Sequence, residues 1–156
     1  MLIIVIGLPG TGKSTVSKYL AEKLNTIILN ADEFRAKLFN INSSEKDKIF
    51  PDSQRDAPYY AMFLEAANLI KKGSNVIIDA ALYSNELVDK AKSITNNSRV
   101  IQTVCPEEIV KKRLRERMKG GEYSAGVKVY EFMKSLTEDI SADIVLDTSL
   151  DWKELI

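Results

Sequence analysis

The stretch Gly7-Leu8-Pro9-Gly10-Thr11-Gly12-Lys13-Ser14-Thr15 (GLPGTGKST) decides how the rest of the chain is read. It contains Gly7-x-x-x-x-Gly12-Lys13-Ser14, the phosphate-binding loop pattern in full. The glycines let the backbone curl until several N–H groups point at phosphate oxygens, and the helix that follows adds its positive end. In such a loop the lysine, Lys13, reaches the β- and γ-phosphates, and the serine, Ser14, ligates Mg²⁺. A glycine turn that merely leads into a helix has no need of that lysine and serine. The predicted nucleotide-binding residues are Gly7, Pro9, Gly10, Thr11, Gly12, Lys13, Ser14 and Thr15, with a nucleoside triphosphate as the ligand and the metal at Ser14.

Outward from the loop, the composition narrows the chemistry. A chain of 156 residues fits one domain, and a domain of that size buries roughly 68–70% of its unfolded surface without needing staples. Its one cysteine, Cys105, excludes an internal disulfide and a cysteine-built zinc site. Histidine is absent, so imidazole bases and Ser-His or Cys-His nucleophiles are excluded, and a general base must be a carboxylate, lysine or tyrosine. A net charge of zero argues mildly against tracking a long phosphate backbone. No apolar run reaches membrane-spanning length. The opening MLIIVIG lacks a basic region and a cleavage site, so it reads as a strand, and the expected location is cytoplasmic.

Five short, β-branched runs stand out: LIIVI (2–6), TIILN (26–30), NVIID (75–79), RVIQTV (99–104) and DIVLD (143–147). Continuous apolar runs suit strands covered on both faces. Between them, Val16, Tyr19, Leu20 and Leu24 recur at helical spacing, as do Tyr59, Met62, Phe63, Ala66, Leu69 and Ile70, and later Val129, Met133, Leu136 and Ile140. The alternation predicts an α/β fold with a five-stranded parallel sheet, helices on both faces, and one domain over residues 1–156. Ligands of such sheets bind beyond the carboxyl ends of the strands, so functional residues are sought there.

After the second run come Asp32 and Arg35, one helical turn apart. Asn30 capping a helix with acids in its first turn is the plain alternative. Opposite the loop, however, Asp32 can accept the proton of an attacking hydroxyl, and Arg35 can clamp an acceptor's phosphate or carboxylate. A buried Asp32 near Lys13 and Arg35 is expected to stay ionised. Asp79 ends the third run, in the manner of a Walker B strand, and is expected to face either the metal or the acceptor. After the fourth run, KKRLRERMKGG (111–121) is strongly basic and ends in glycines. A solvated charged face is one reading; a lid over roughly 111–126 is the other, with Arg117 and then Arg113 brought over the γ-phosphate.

These residues together resemble the small P-loop kinases, in particular the kinase parts of polynucleotide kinases, zeta toxins, chloramphenicol phosphotransferase and gluconate kinase. The resemblance runs nearly end to end. It implies ATP–Mg²⁺ as donor, in-line transfer of the γ-phosphoryl group, an acidic base at Asp32, an acceptor-holding arginine at Arg35, and lid arginines at Arg113 and Arg117. Two departures mark the acceptor side. Asp79-Ala80-Ala81 stands where polynucleotide kinases have a hydroxylated or amide residue, and LYSNELVDKAKSI lacks the arginine that many relatives carry. Shikimate kinases are of similar size, but their glycine triplet after the third strand is absent here.

The acceptor implied is a polynucleotide 5′-hydroxyl or a small-molecule alcohol. A nucleoside monophosphate kinase is an alternative, in which segment 41–60 with Arg55 and Tyr59 or Tyr60 walls the acceptor; as a surface loop the same segment would do nothing. A non-catalytic nucleotide-binding regulator is a third, disfavoured because binding alone needs neither a base nor lid arginines. The Asn-Lys-x-Asp of a GTPase is absent.

Overall fold

The computed structural model describes residues 1–41, 47–120 and 125–156. Strands β1 (Leu2–Ile6), β2 (Ile27–Asn30), β3 (Val76–Asp79), β4 (Ser98–Val104) and β5 (Ile144–Asp147) form one parallel sheet in the order β2-β3-β1-β4-β5. Helices α1 (Lys13–Leu24), α2 (Ala31–Phe39), α3 (Asp52–Lys71), α4 (Asn85–Lys92), α5 (Glu107–Met118) and α6 (Val127–Leu136) connect and cover it. All five apolar runs are strands, within a residue of their expected ends.

The central strand shows why the run LIIVI is uninterrupted. Leu2, Ile4 and Ile6 enter one core with Val76, Ile78, Met62, Phe63 and Leu87. Ile3 and Val5 enter the other with Ile77, Val16, Leu20, Leu146 and Trp152. Each face of β1 is covered, so no position on it tolerates a polar residue. Every fully buried aliphatic side chain contributes roughly 1.5–3 kcal/mol. The in-register pairs Ile4↔Ile78 and Val5↔Asp79 bring the ends of β1 and β3 level, so the phosphate-binding loop and Asp79 emerge side by side.

Two elements depart from the sequence expectation. Helix α3 begins at Asp52, well before Tyr59, and carries Pro58 inside it. The proline reads locally as a break, yet burial of Tyr59, Met62, Phe63 and Ala66 on one face carries the helix through it. Residues 52–60 are therefore helix, not surface loop; residues 42–46 of the same segment lie outside the described residues. Helix α6 ends at Leu136, and Ile140 reaches the first core from the connection beyond it.

Candidate active site

The loop is built by backbone conformations that favour glycine. Gly10 and Gly12 have φ of +82° and +94°, and a side chain at Gly10 would meet Val110 and Leu114 of α5 at 2.9 Å. The carbonyl of Leu8 accepts from Thr11 Oγ1 at 2.7 Å and from Lys13 Nζ at 3.1 Å. Burial pushes the Lys13 ammonium below its ordinary pKa; Asp79 and Asp32 pull it back, and Arg117 adds to the lowering. One lysine thus feels the charges that the sequence placed on three other elements.

All of them line one cleft, about 880 Å³ of unfilled space partly open to solvent. Pro9, Gly10, Gly12, Lys13, Ser14 and Thr15 form its loop side, Asp32 and Arg35 come from α2, Asp79 from β3 and Arg117 from α5. Gly7 and Thr11 do not reach it. They line a second cavity behind the loop, where Thr11 Oγ1 is hydrogen-bonded to Thr103 Oγ1 at 2.7 Å and Thr103 Oγ1 lies 3.2 Å from Ile6 O. Thr11 braces the loop from the rear, and its side chain does not face the cleft. Thr103 was not singled out from sequence, because a threonine in a β-branched strand looks like any other.

Asn30 does what the capping alternative requires and more. Its Oδ1 accepts from the N–H groups of Asp32 and Glu33 at 2.9 and 3.2 Å, and its Nδ2 donates to Asp79 Oδ2 at 3.1 Å. One amide therefore starts α2 and fixes the Asp79 carboxylate, which is only 2% exposed. Asp32 is not buried as expected: its side chain is 54% exposed, while that of Arg35 is 8% exposed. Being on the first turn of α2 leaves Asp32 facing the open cleft, and Arg35 Nη1 holds its Oδ1 at 2.7 Å.

Arg35 also donates through Nη2 to Arg55 O at 3.2 Å and lies between the rings of Phe50 and Tyr59, at 5.7 and 5.8 Å. Arg55 lies near the rings of Tyr83 and Phe132, at 5.1 and 5.6 Å, donates to Asp52 and Tyr83, and pairs with Asp56 at 3.5 Å. Two guanidinium groups, each near two aromatic rings, thus line the cleft. Phe132 and Lys48 are cleft residues that sequence reasoning missed.

The two arginines expected of a lid part ways. Arg117 is on the cleft, whereas Arg113 is not among its lining residues. Its Nη1 donates to Thr148 Oγ1 and its Nη2 to Thr148 O, both at 3.0 Å, and Nη1 lies 3.5 Å from Gly10 O. Arg113 ties α5 to the loop and to the end of β5. Lys111 pairs with Glu107 and Glu131, and with Lys134 it holds the Glu107 carboxyl down to about 2. Part of the basic run is thus an ion-paired surface between α5 and α6. Residues 121–124 of the expected lid lie outside the described residues.

Among the described residues no cluster of three or more His, Cys, Asp or Glu forms a metal cage. The donors present suit Mg²⁺ better than a caged metal, since it is commonly held by one or two protein oxygens together with substrate phosphates and water. Ser14 at the start of α1 and the fixed carboxylate of Asp79 are such oxygens.

A sequence profile of the family described as an AAA domain matches residues 2–138, and the chain belongs to that family. Within the P-loop proteins it has the fold of the small kinases. Shikimate kinase of Thermodesulfovibrio yellowstonii is 28% identical over 135 residues, covering 74% of this chain and 78% of that protein. A sugar kinase from Janibacter superposes with a TM-score of 0.79 at 19% identity, covering 99% of this chain and 88% of the other. A gluconokinase from Sinorhizobium meliloti gives 0.72 at 17%, covering 97% and 85%. Among the described residues no helix is long and apolar enough to cross a membrane.

Proposed function

We propose that this protein is a kinase that uses Mg²⁺–ATP to phosphorylate a hydroxyl group on a small molecule bearing an anionic group. The observation that carries the reading is the convergence on one cleft of Lys13, Asp32 and Arg117, together with Arg35 and Arg55. Binding ATP alone would need only the first. The kinship with shikimate kinase and the likeness to a gluconokinase favour a small acceptor over a nucleic-acid end.

In this reading Lys13 and the loop N–H groups hold the phosphates of ATP, and Ser14 with Asp79 supplies protein oxygens for Mg²⁺, which when bound offsets phosphate charge. The acceptor oxygen forms a bond to the γ-phosphorus in line with the bond that breaks, and that bonding pair leaves on the β-phosphate of ADP. The hydroxyl proton passes to the Asp32 carboxylate and on to solvent. Arg35 orients Asp32, and with Arg55, which pairs with Asp52 and Asp56, it offers positive charge to the acceptor's anionic group. Arg117 covers the charge that develops on the transferred group.

The test is transfer from γ-labelled ATP to shikimate, D-gluconate, a nucleoside monophosphate pool and a 5′-hydroxyl oligonucleotide. Label is expected on a small anionic acceptor, with Asp32→Asn losing at least ~10²-fold in kcat while ATP affinity is kept. Label on the oligonucleotide alone, or full activity in Asp32→Asn, refutes the reading.

A further inference from the structure

Helix α6 has no cap of its own. Gly126 stands at its N-cap position, and its first turn contains no acidic residue. The missing cap comes from a residue far upstream. Asp47 Oδ1 accepts from the N–H groups of Gly126 and Val129, each at 2.8 Å, and Oδ2 accepts from Lys128 N at 3.1 Å. Three of the helix's otherwise unpaired donors end on one carboxylate, whose charge also suits the positive end of the helix. Asp47 holds this pose at a φ of +55°, a conformation aspartate adopts more readily than most residues. Gly126 leaves the room, since a Cβ there would lie 2.6 Å from the Asp47 carboxyl group.

The two segments so joined both line the cleft beside the arginines of the proposed acceptor site. Lys48, Ile49 and Phe50 directly follow Asp47; Ala125, Val129, Phe132 and Met133 come from the α6 side. Phe50 carries the Arg35 guanidinium on its ring and Phe132 carries that of Arg55. Displacing one segment against the other would therefore withdraw the Phe50 ring from Arg35 or the Phe132 ring from Arg55. We propose that Asp47 is a positioning residue which, through the α6 N-terminus, sets the spacing of these two segments and so the affinity for the acceptor. Its catalytic consequence rests on the kinase reading above; the mechanical tie does not.

The experiment changes each segment and reads the other. In Gly126→Ala, tryptic cleavage after Lys48, scored by mass spectrometry, should be at least about fivefold faster. In Asp47→Ala, exchange of the Tyr130 amide, bonded to Gly126 O, should be at least about tenfold faster. The Val16 amide of α1 should not change in either. The double variant should show no more than the larger single effect, because both changes break one joint. In the transfer assay, each single variant should raise KM for the acceptor about tenfold and leave KM for ATP and basal ATP hydrolysis unchanged. Asp47→Asn should keep much of the wild-type KM, since its Oδ1 preserves two of the three bonds. Effects confined to the altered segment overturn the tie. An equal fall in basal hydrolysis, or acceptor KM unmoved, overturns the positioning role. A wild type that phosphorylates none of the acceptors sinks the kinase reading and the positioning role with it, while the first two assays still decide the tie.

Discussion

Arg113 and Arg117 lie four residues apart on one basic helix, and their sequence surroundings are nearly interchangeable. The fold gives them different work. Arg113 makes a fork to Thr148 and reaches Gly10 O, so it acts on the nucleotide loop from outside the cleft. Hydrogen bonds from a charged donor are worth roughly 1.5–3 kcal/mol, or about 10–100-fold in an equilibrium. Arg113→Ala is therefore expected to raise KM for ATP about tenfold or more with kcat within about threefold of wild type. Arg117→Ala, on the cleft, should instead lower kcat by ~10²-fold or more with little effect on KM for ATP. Steady-state kinetics on the two variants separate these patterns, and a matching loss of kcat in both would return Arg113 to the transferring phosphate. At this scale the sequence marks which residue types belong near phosphate. It cannot assign partners such as Thr148, which depend on where β5 ends in space.

At the level of elements the loop, α1 and all five strands were legible because each rests on a local rule: a motif, a period or a run. Helix α3 was half legible, because Pro58 carries a local signal that tertiary burial overrides. The start of α6 was not legible at all, since its cap is a carboxylate 79 residues upstream. Glycine illustrates the same division between local and distant causes. Gly10 and Gly73 both have positive φ, at +82° and +88°, so alanine strains the backbone at either. A Cβ at Gly73 meets nothing within 4 Å, whereas at Gly10 it presses on Val110 and Leu114. Gly73→Ala should cost about 1–2 kcal/mol from backbone strain. Gly10→Ala should cost about 2–4 kcal/mol, since overpacking against α5 is added. Urea denaturation of the two variants checks the difference. Equal losses would mean that α5 gives way freely and is not packed on the loop.

For the molecule as a whole, the order β2-β3-β1-β4-β5 puts the ends of three adjacent strands, carrying Asn30, Asp79 and the loop, on one rim. The same packing buries Tyr59 beneath that rim. Its hydroxyl donates to Ala81 O at 3.1 Å, and burial pushes its phenol up to about 12 although the Arg35 charge opposes this. The unfolded phenol loses its proton near pH 10, so between about 10 and 12 the folded state binds more protons than the unfolded one. The stability contributed is thus complete below pH 10 and is lost as pH rises through about 12. At 1.36 kcal/mol per pKa unit the loss amounts to roughly 2–3 kcal/mol. Tyr59→Phe removes this dependence. Below pH 10 the variant should be about 1 kcal/mol less stable, for the lost bond to Ala81 O; toward pH 12 the gap should close and reverse. Urea denaturation from pH 8 to 12 follows both proteins, and parallel curves would show that Tyr59 titrates alike folded and unfolded. Lys13 works with the opposite sign, because burial lowers it and its contribution grows as pH rises toward 10.5. Both proteins carry Lys13, so it cancels in the difference, and the slope that remains belongs to the buried tyrosine.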